Sequence, residues 1–347
     1  MSTRMSPRNF FKYPVICDKR FWAPVVLSVA ALGLSVQSRV FAQPASDSQK
    51  YDLLRRFAPE IWLAEGERYF PASLDWAFPY FNRVPRNGNW WLYTKQQLSS
   101  PSDGTLPVFR GDLNSAKTYA FWVPKATGNT DLVYFIYYPY NRGKELAYRV
   151  WGNHVGDWEN VIVRLDETYQ PQRIFLSQHD QDEIIKWPAI TKHSTHPVVY
   201  SAWGSHGNYA SVGEHAYEKT VLGTLSDLTS RGTRWDTWNS LEAFDYHNKS
   251  GLNGNSWPQW MEKDHGVYPG RVNTAASVAG DFNSDGSVGA NNTAIGEGVM
   301  PASGPIYRWG NGKNGCGGAA KFYEAVSGEC RLNDGPTGPI DKDVWTK

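Results

Sequence analysis

Two stretches constrain this chain more than anything else in it. Asp131 to Tyr140 is dense in β-branched and aromatic residues, and Trp158 to Asp166 sets Val161, Val163 and Leu165 two apart. Period-two apolar patterning of this kind belongs to strands with a buried face. Arg173 to His179 and Pro197 to Trp203 continue the pattern, with Gly, Pro and Asn between the runs. Near the start Leu53, Leu54 and Phe57 recur at helical spacing until Pro59 ends the run. Thr237 to Asn248 also reads as a helix. The expectation is a mostly β protein: a β-sandwich with long loops, a short N-terminal helix and a few peripheral helices. No internal repeat is visible.

Residues 1–42 read as a secretory signal. Arg4, Arg8, Lys12, Lys19 and Arg20 make a basic start, Phe21 to Val36 is largely apolar, and Val40-Phe41-Ala42 supplies small residues for cleavage. The apolar run is short and interrupted by Pro24, whereas a bilayer-spanning helix needs ~20 apolar residues. The expectation is therefore a secreted protein, extracellular or periplasmic, with no transmembrane anchor in the mature chain. Residues 43–347 then form a single domain, whose region from about 250 onward is rich in Gly, Asn and Ser.

Charge excludes one class of partner. The full chain sets 35 Lys and Arg against 34 Asp and Glu, and six of the basic residues but only Asp18 of the acidic ones fall within 1–42. The remainder carries a modest negative surplus, the opposite of a nucleic-acid footprint. Cys17 leaves with the signal, so Cys316 and Cys330 remain as an even pair in an oxidising compartment and are expected to form a disulfide.

Chemistry concentrates in Gly152-Asn153-His154-Val155-Gly156-Asp157-Trp158-Glu159-Asn160. Residues two apart on a strand share a face, so Asp157 and Glu159 project together at the start of the strand through Val161. His154 is expected in the preceding turn, free to swing toward them. Two carboxylates at one spot repel unless a cation or proton lies between them. One nitrogen and two oxygen ligands suit a divalent cation; a solvated strand edge beside a hydrogen-bonded histidine is the bland alternative.

The string His154 to Asn160 resembles the hallmark of the vacuolar protein sorting-associated protein 62 family, which has plant relatives of unknown function. The likeness extends to Phe57-Ala58-Pro59, Glu67-Arg68-Tyr69-Phe70-Pro71, Ser205-His206-Gly207-Asn208-Tyr209 and the stretch Asp227 to Trp238. More distantly, the segment is similar to the necrosis-inducing, cytolytic toxin family, with a Gly-His-Arg-His-Asp-Trp-Glu motif on a β-sandwich. That likeness implies His154, Asp157 and Glu159 as ligands of a divalent ion. The family's further aspartate ligand corresponds to Asn141, which costs one negative charge. It also implies His206 near the ion, as a ligand contact or as the general base if the protein is an enzyme, with Tyr209 and Trp158 beside a bound ligand. Mixed N and O ligation leaves Mg, Ca, Mn and Zn open.

Two further strings invite functional readings. Gly204-Ser205-His206-Gly207 lacks the residue between glycine and serine that a hydrolase nucleophile elbow requires. Asp281, Asn283 and Asp285, followed by Gly286 and Val288, form the first half of a calcium loop, but position 12 is Asn292 where a bidentate Glu belongs; an Asx-rich turn is the alternative. With aromatic residues at 14% and 16 tryptophans, the leading expectation is a secreted, metal-dependent binder of a glycan or glycolipid head group, with action as a toxin or effector its expected use. A metal-dependent hydrolase using a metal-activated water and a surface protein with a structural metal are the alternatives.

Overall fold

The computed structural model describes residues 43–261 apart from 87, 88, 97, 99–103, 147, 148, 180, 221 and 222, together with 307–313 and 332–347. The expected signal at 1–42, the half calcium loop at Asp281, Asn283 and Asp285, and the Cys316–Cys330 pair lie outside the described residues.

The two stretches that dominate the sequence become the two longest strands. Thr130–Asn141 and His154–Leu165 pair antiparallel at the centre of a seven-stranded sheet. On one side of them lie Pro171–Gln178 and Gln181–Lys186; on the other lie Thr118–Pro124, Leu241–Asp245 and Ser250–Gly251. Every residue of Thr130–Asn141 is buried, because this strand is covered on both faces. Leu132, Tyr134, Ile136 and Tyr138 pack toward one layer and Val133, Phe135 and Tyr137 toward the other.

The first layer is a second sheet built around Glu60–Leu63, which pairs parallel with His196–Ser201 and antiparallel with Arg234–Asp236. Ile61, Leu63, Val199 and Trp235 meet the central sheet there. The helix Asp47–Phe57 seals the layer with Leu53, Leu54 and Phe57; its N-cap Ser46 accepts a hydrogen bond from Gln49 N, satisfying one of the helix's first free donors. The opposite layer is aromatic: Phe81, Phe109, Trp158, Trp260 and Trp309 share one cluster. The protein is thus mostly β, two sheets packed face to face with a second apolar cover behind the larger one.

The helix expected over Thr237 to Asn248 is mainly a strand. Only Thr237–Asn239 makes a 3-10 turn, and Leu241–Asp245 pairs parallel with Thr118–Pro124. Ala243 faces one layer and Phe244 the other, and a sheet position buried on both faces overrides a weak helical propensity. Among the described residues no helix is long and apolar enough to cross a membrane.

Candidate metal centre

Strict alternation along His154–Leu165 would put His154, three residues before Asp157, on the opposite face. Gly156 prevents this. Its φ is +71°, a left-handed conformation that L side chains rarely adopt. Val155 and Trp158 consequently both pack into the aromatic layer although they are three apart, and the intervening turn of the backbone brings His154 to the Asp157 side. The partner strand breaks in step around Pro139: Tyr138 and Tyr140 go to opposite layers, and Asn141 pairs with His154. His154 is therefore the first residue of the strand and not part of a preceding turn.

Around Asp157 the side chains converge. Its Oδ1 accepts the Trp158 N–H at 2.9 Å, and its Oδ2 lies 3.3 Å from both Asn141 Nδ2 and His206 Nδ1. His206 is fully buried, stacked on Tyr138 with ring centroids 3.8 Å apart, and its Nε2 is 3.0 Å from the Tyr69 carbonyl oxygen. A carbonyl only accepts, so Nε2 carries a hydrogen, and Nδ1 is the ring atom turned toward Asp157, a lone pair there whenever it holds no proton. His154 repeats the device: Nδ1 lies 2.6 Å from the Gly156 carbonyl oxygen, so its Nε2 is left bare. Imidazoles that hold a metal commonly donate their other N–H to a carbonyl, and both rings here are set up that way.

Glu159 sits on the same face two residues on, and Ser177 Oγ donates to its Oε2. Burial first, and then the charge of Asp157, push the Glu159 carboxyl well above its usual range. Burial works against ionised Asp157 as well, but a proton on the His206 and His154 rings, when they carry one, together with the charge of Lys342, holds its carboxyl below the usual range. Burial lowers His154 from the usual imidazole range. Two buried carboxylates of opposed tendency, one of them against the His206 imidazole and with His154 on the same strand, are donor types that fit a divalent cation chemically. In the present side-chain positions no three His, Cys, Asp or Glu groups among the described residues close into a cage.

Other expected site residues fall differently. Asn141 presents its amide nitrogen to Asp157 and its oxygen to Gly143 N at 2.7 Å, so it acts as a donor to Asp157; ligation would require the amide to turn over. Trp158 is 2% exposed on the far face, packed against Tyr137, Trp260 and Trp309, and cannot touch a ligand at Asp157. Tyr209 commits its hydroxyl to Asp227 at 2.9 Å. The partly exposed aromatic beside the site is Trp203, with Arg142 4.6 Å above its ring.

The turn that carries His206 is under strain, since this non-glycine residue has a φ of +66°, a conformation costing on the order of 1–3 kcal/mol. Two buried carboxylates clamp it. Glu67 accepts Gly204 N at 2.7 Å while also accepting Arg68 N and Tyr69 N. Asp227 accepts Ser205 Oγ at 2.5 Å and Tyr209 OH, and meets Lys144 Nζ at 2.8 Å and His179 Nε2 at 2.9 Å. Despite the cost of burial, the contacts with His179 and Lys144 hold Asp227 far below the usual carboxylate range. Glu67 and Asp227 both stand in the strings that carry the family resemblance, which signals importance; only the fold reveals that both grip one turn.

Comparison with known proteins covers the same region. Two curated relatives from Saccharomyces cerevisiae (strain ATCC 204508 / S288c) stand out. Vacuolar protein sorting-associated protein 62 is 35% identical over 172 residues, 45% of this chain and 34% of the relative. Putative vacuolar protein sorting-associated protein TDA6 is 33% identical over 164 residues, 41% of this chain and 34% of the relative. The match thus spans about a third of each relative's length. Among solved structures, one described as a toxin fold for microbial attack and plant defense aligns at 19% identity with a TM-score of 0.33, covering 59% of this chain and 77% of that one. NLPPya in complex with mannosamine aligns at 20% identity with a TM-score of 0.33 and the same coverage. A TM-score of that size fixes neither a site nor a ligand. Residues 85–263 match the family described as vacuolar protein sorting-associated protein 62, and this chain belongs to that family.

Proposed function

We propose that the chain is a secreted protein that holds a divalent cation at His154, Asp157, Glu159 and His206 and uses it to bind a glycan or glycolipid head group. The observation that carries this reading is the pairing of two imidazoles, each spending one N–H on a backbone carbonyl, with the buried carboxylate of Asp157. When bound, the cation supplies open coordination positions that sugar hydroxyls can fill. Trp203, half-buried with Arg142 stacked on it, offers an apolar face at the rim for a pyranose ring. The negative surplus of the chain beyond residue 42 suits a neutral or cation-bridged ligand.

A glycan and sphingolipid array probed with and without a chelator tests the reading. Retention on particular sugars that disappears with chelator, and returns with added cation, is the expected result. Retention that ignores chelator, or none on any sugar or lipid, contradicts it. A fall in melting temperature on chelation without any effect on a ligand would instead mark a structural metal.

A further inference from the structure

The turn Ser205 to Tyr209 contains one buried amide whose oxygen the fold leaves unpaired. Asn208 is 0% exposed. Its Nδ2 donates to the Asn160 carbonyl oxygen and to Ser177 Oγ, each at 3.3 Å, and its own carbonyl accepts Gln178 Nε2 at 3.0 Å. Among the described residues its Oδ1 has no hydrogen-bond partner. An amide oxygen buried without a partner costs about 1–3 kcal/mol, and such groups call for an explanation.

The surroundings of Asn208 supply one. Ser177 Oγ, to which the amide donates, itself donates to Glu159 Oε2, so a single hydroxyl separates the Asn208 amide from the Glu159 carboxylate. That carboxylate is buried beside Asp157 and shares its strand face. With Nδ2 fixed by two acceptors, the amide cannot turn over without forfeiting both bonds, and the oxygen is the atom left for something else. Asn141, by contrast, has its oxygen taken by Gly143 N.

We infer that Asn208 Oδ1 is an additional oxygen ligand of the cation proposed at Asp157 and Glu159, supplying the neutral amide oxygen that Asn141 does not. This rests on the metal reading above and sharpens it. An amide oxygen next to the carboxylates weights the donor set toward the hard cations Ca²⁺, Mg²⁺ and Mn²⁺ over Zn²⁺.

Calorimetric titration of Ca²⁺, Mg²⁺ and Mn²⁺ into the full chain tests it, with Asn208→Ala and Asn208→Asp alongside and thermal melting of each in chelator and in cation. Asn208→Ala should bind at least about tenfold more weakly than the parent chain. Asn208→Asp adds a charge beside Glu159, so it should melt below the parent in chelator and gain more than the parent from added cation. If Asn208→Ala fails to fold, the Asn208→Asp melting shifts decide. Parent-like affinity in Asn208→Ala, or a cation shift in Asn208→Asp no larger than the parent's, overturns the inference and leaves the metal reading standing. No cation binding by the parent chain overturns both.

Discussion

Gly156 runs so close to Trp309 that a Cβ on the glycine would stand 1.6 Å from the Trp309 carbonyl oxygen. The same glycine holds the left-handed backbone that carries His154 round to the Asp157 face. Packing of the aromatic layer and assembly of the site therefore depend on one residue without a side chain.

Gly156→Ala should be severely destabilising, because it combines backbone strain with a contact that only backbone movement can relieve. A loss of roughly 3 kcal/mol or more is expected, against the gain of about 0.4–1 kcal/mol that Gly→Ala brings where the backbone tolerates it. Urea denaturation measures it. A loss below about 1 kcal/mol would mean that the strand keeps its course without the glycine.

Asp227 should behave as an anchor for the His206 turn. Replacing it with Ala strands the Lys144 ammonium, 12% exposed, beside three uncapped donors, and removing one partner of a buried ion pair costs about 3–5 kcal/mol. Asp227→Asn should cost less, since the amide oxygen can still accept from Ser205 or Tyr209. Equal stability of the Ala variant and the parent chain would contradict the clamp.

The same residue sets a pH dependence. Its folded carboxyl is held far below the usual range, so the stability it contributes is complete above the unfolded aspartate value of ~3.9 and fades as pH falls below it. The stability gap between the parent chain and Asp227→Asn should stay constant from pH 7 to about 5 and then narrow below about 4. A gap that widens with acid would reverse the assigned sign.

Export is tested at the other end of the chain. Fused ahead of a reporter, residues 1–42 should direct it out of the cell, while the chain lacking them should stay inside. Intracellular retention of both would remove the secretory reading.

Much of the fold was legible because period-two patterning reports directly on burial. Leu53, Leu54 and Phe57 likewise marked the one long helix among the described residues, since a helix must bury a stripe. Thr237 to Asn248 misled, because the strand that pairs with Ala243 and Phe244, Thr118–Pro124, lies more than a hundred residues away. The site was half legible. Asp157 and Glu159 share a face as spacing alone requires, whereas Trp158 between them had to point the other way, into the core. Nothing local showed that Asn141 turns its nitrogen toward Asp157, or that Glu67 and Asp227 clamp the His206 turn, since those contacts join segments distant in sequence.

Cation binding by the full chain tests the central claim most directly. Purified protein stripped with chelator and titrated calorimetrically with Mg²⁺, Ca²⁺, Mn²⁺ and Zn²⁺ should bind one equivalent of at least one ion, and Asp157→Ala and His154→Ala should each weaken that binding at least about tenfold. Absence of binding for all four ions, or binding that both variants retain at the affinity of the parent chain, would contradict it.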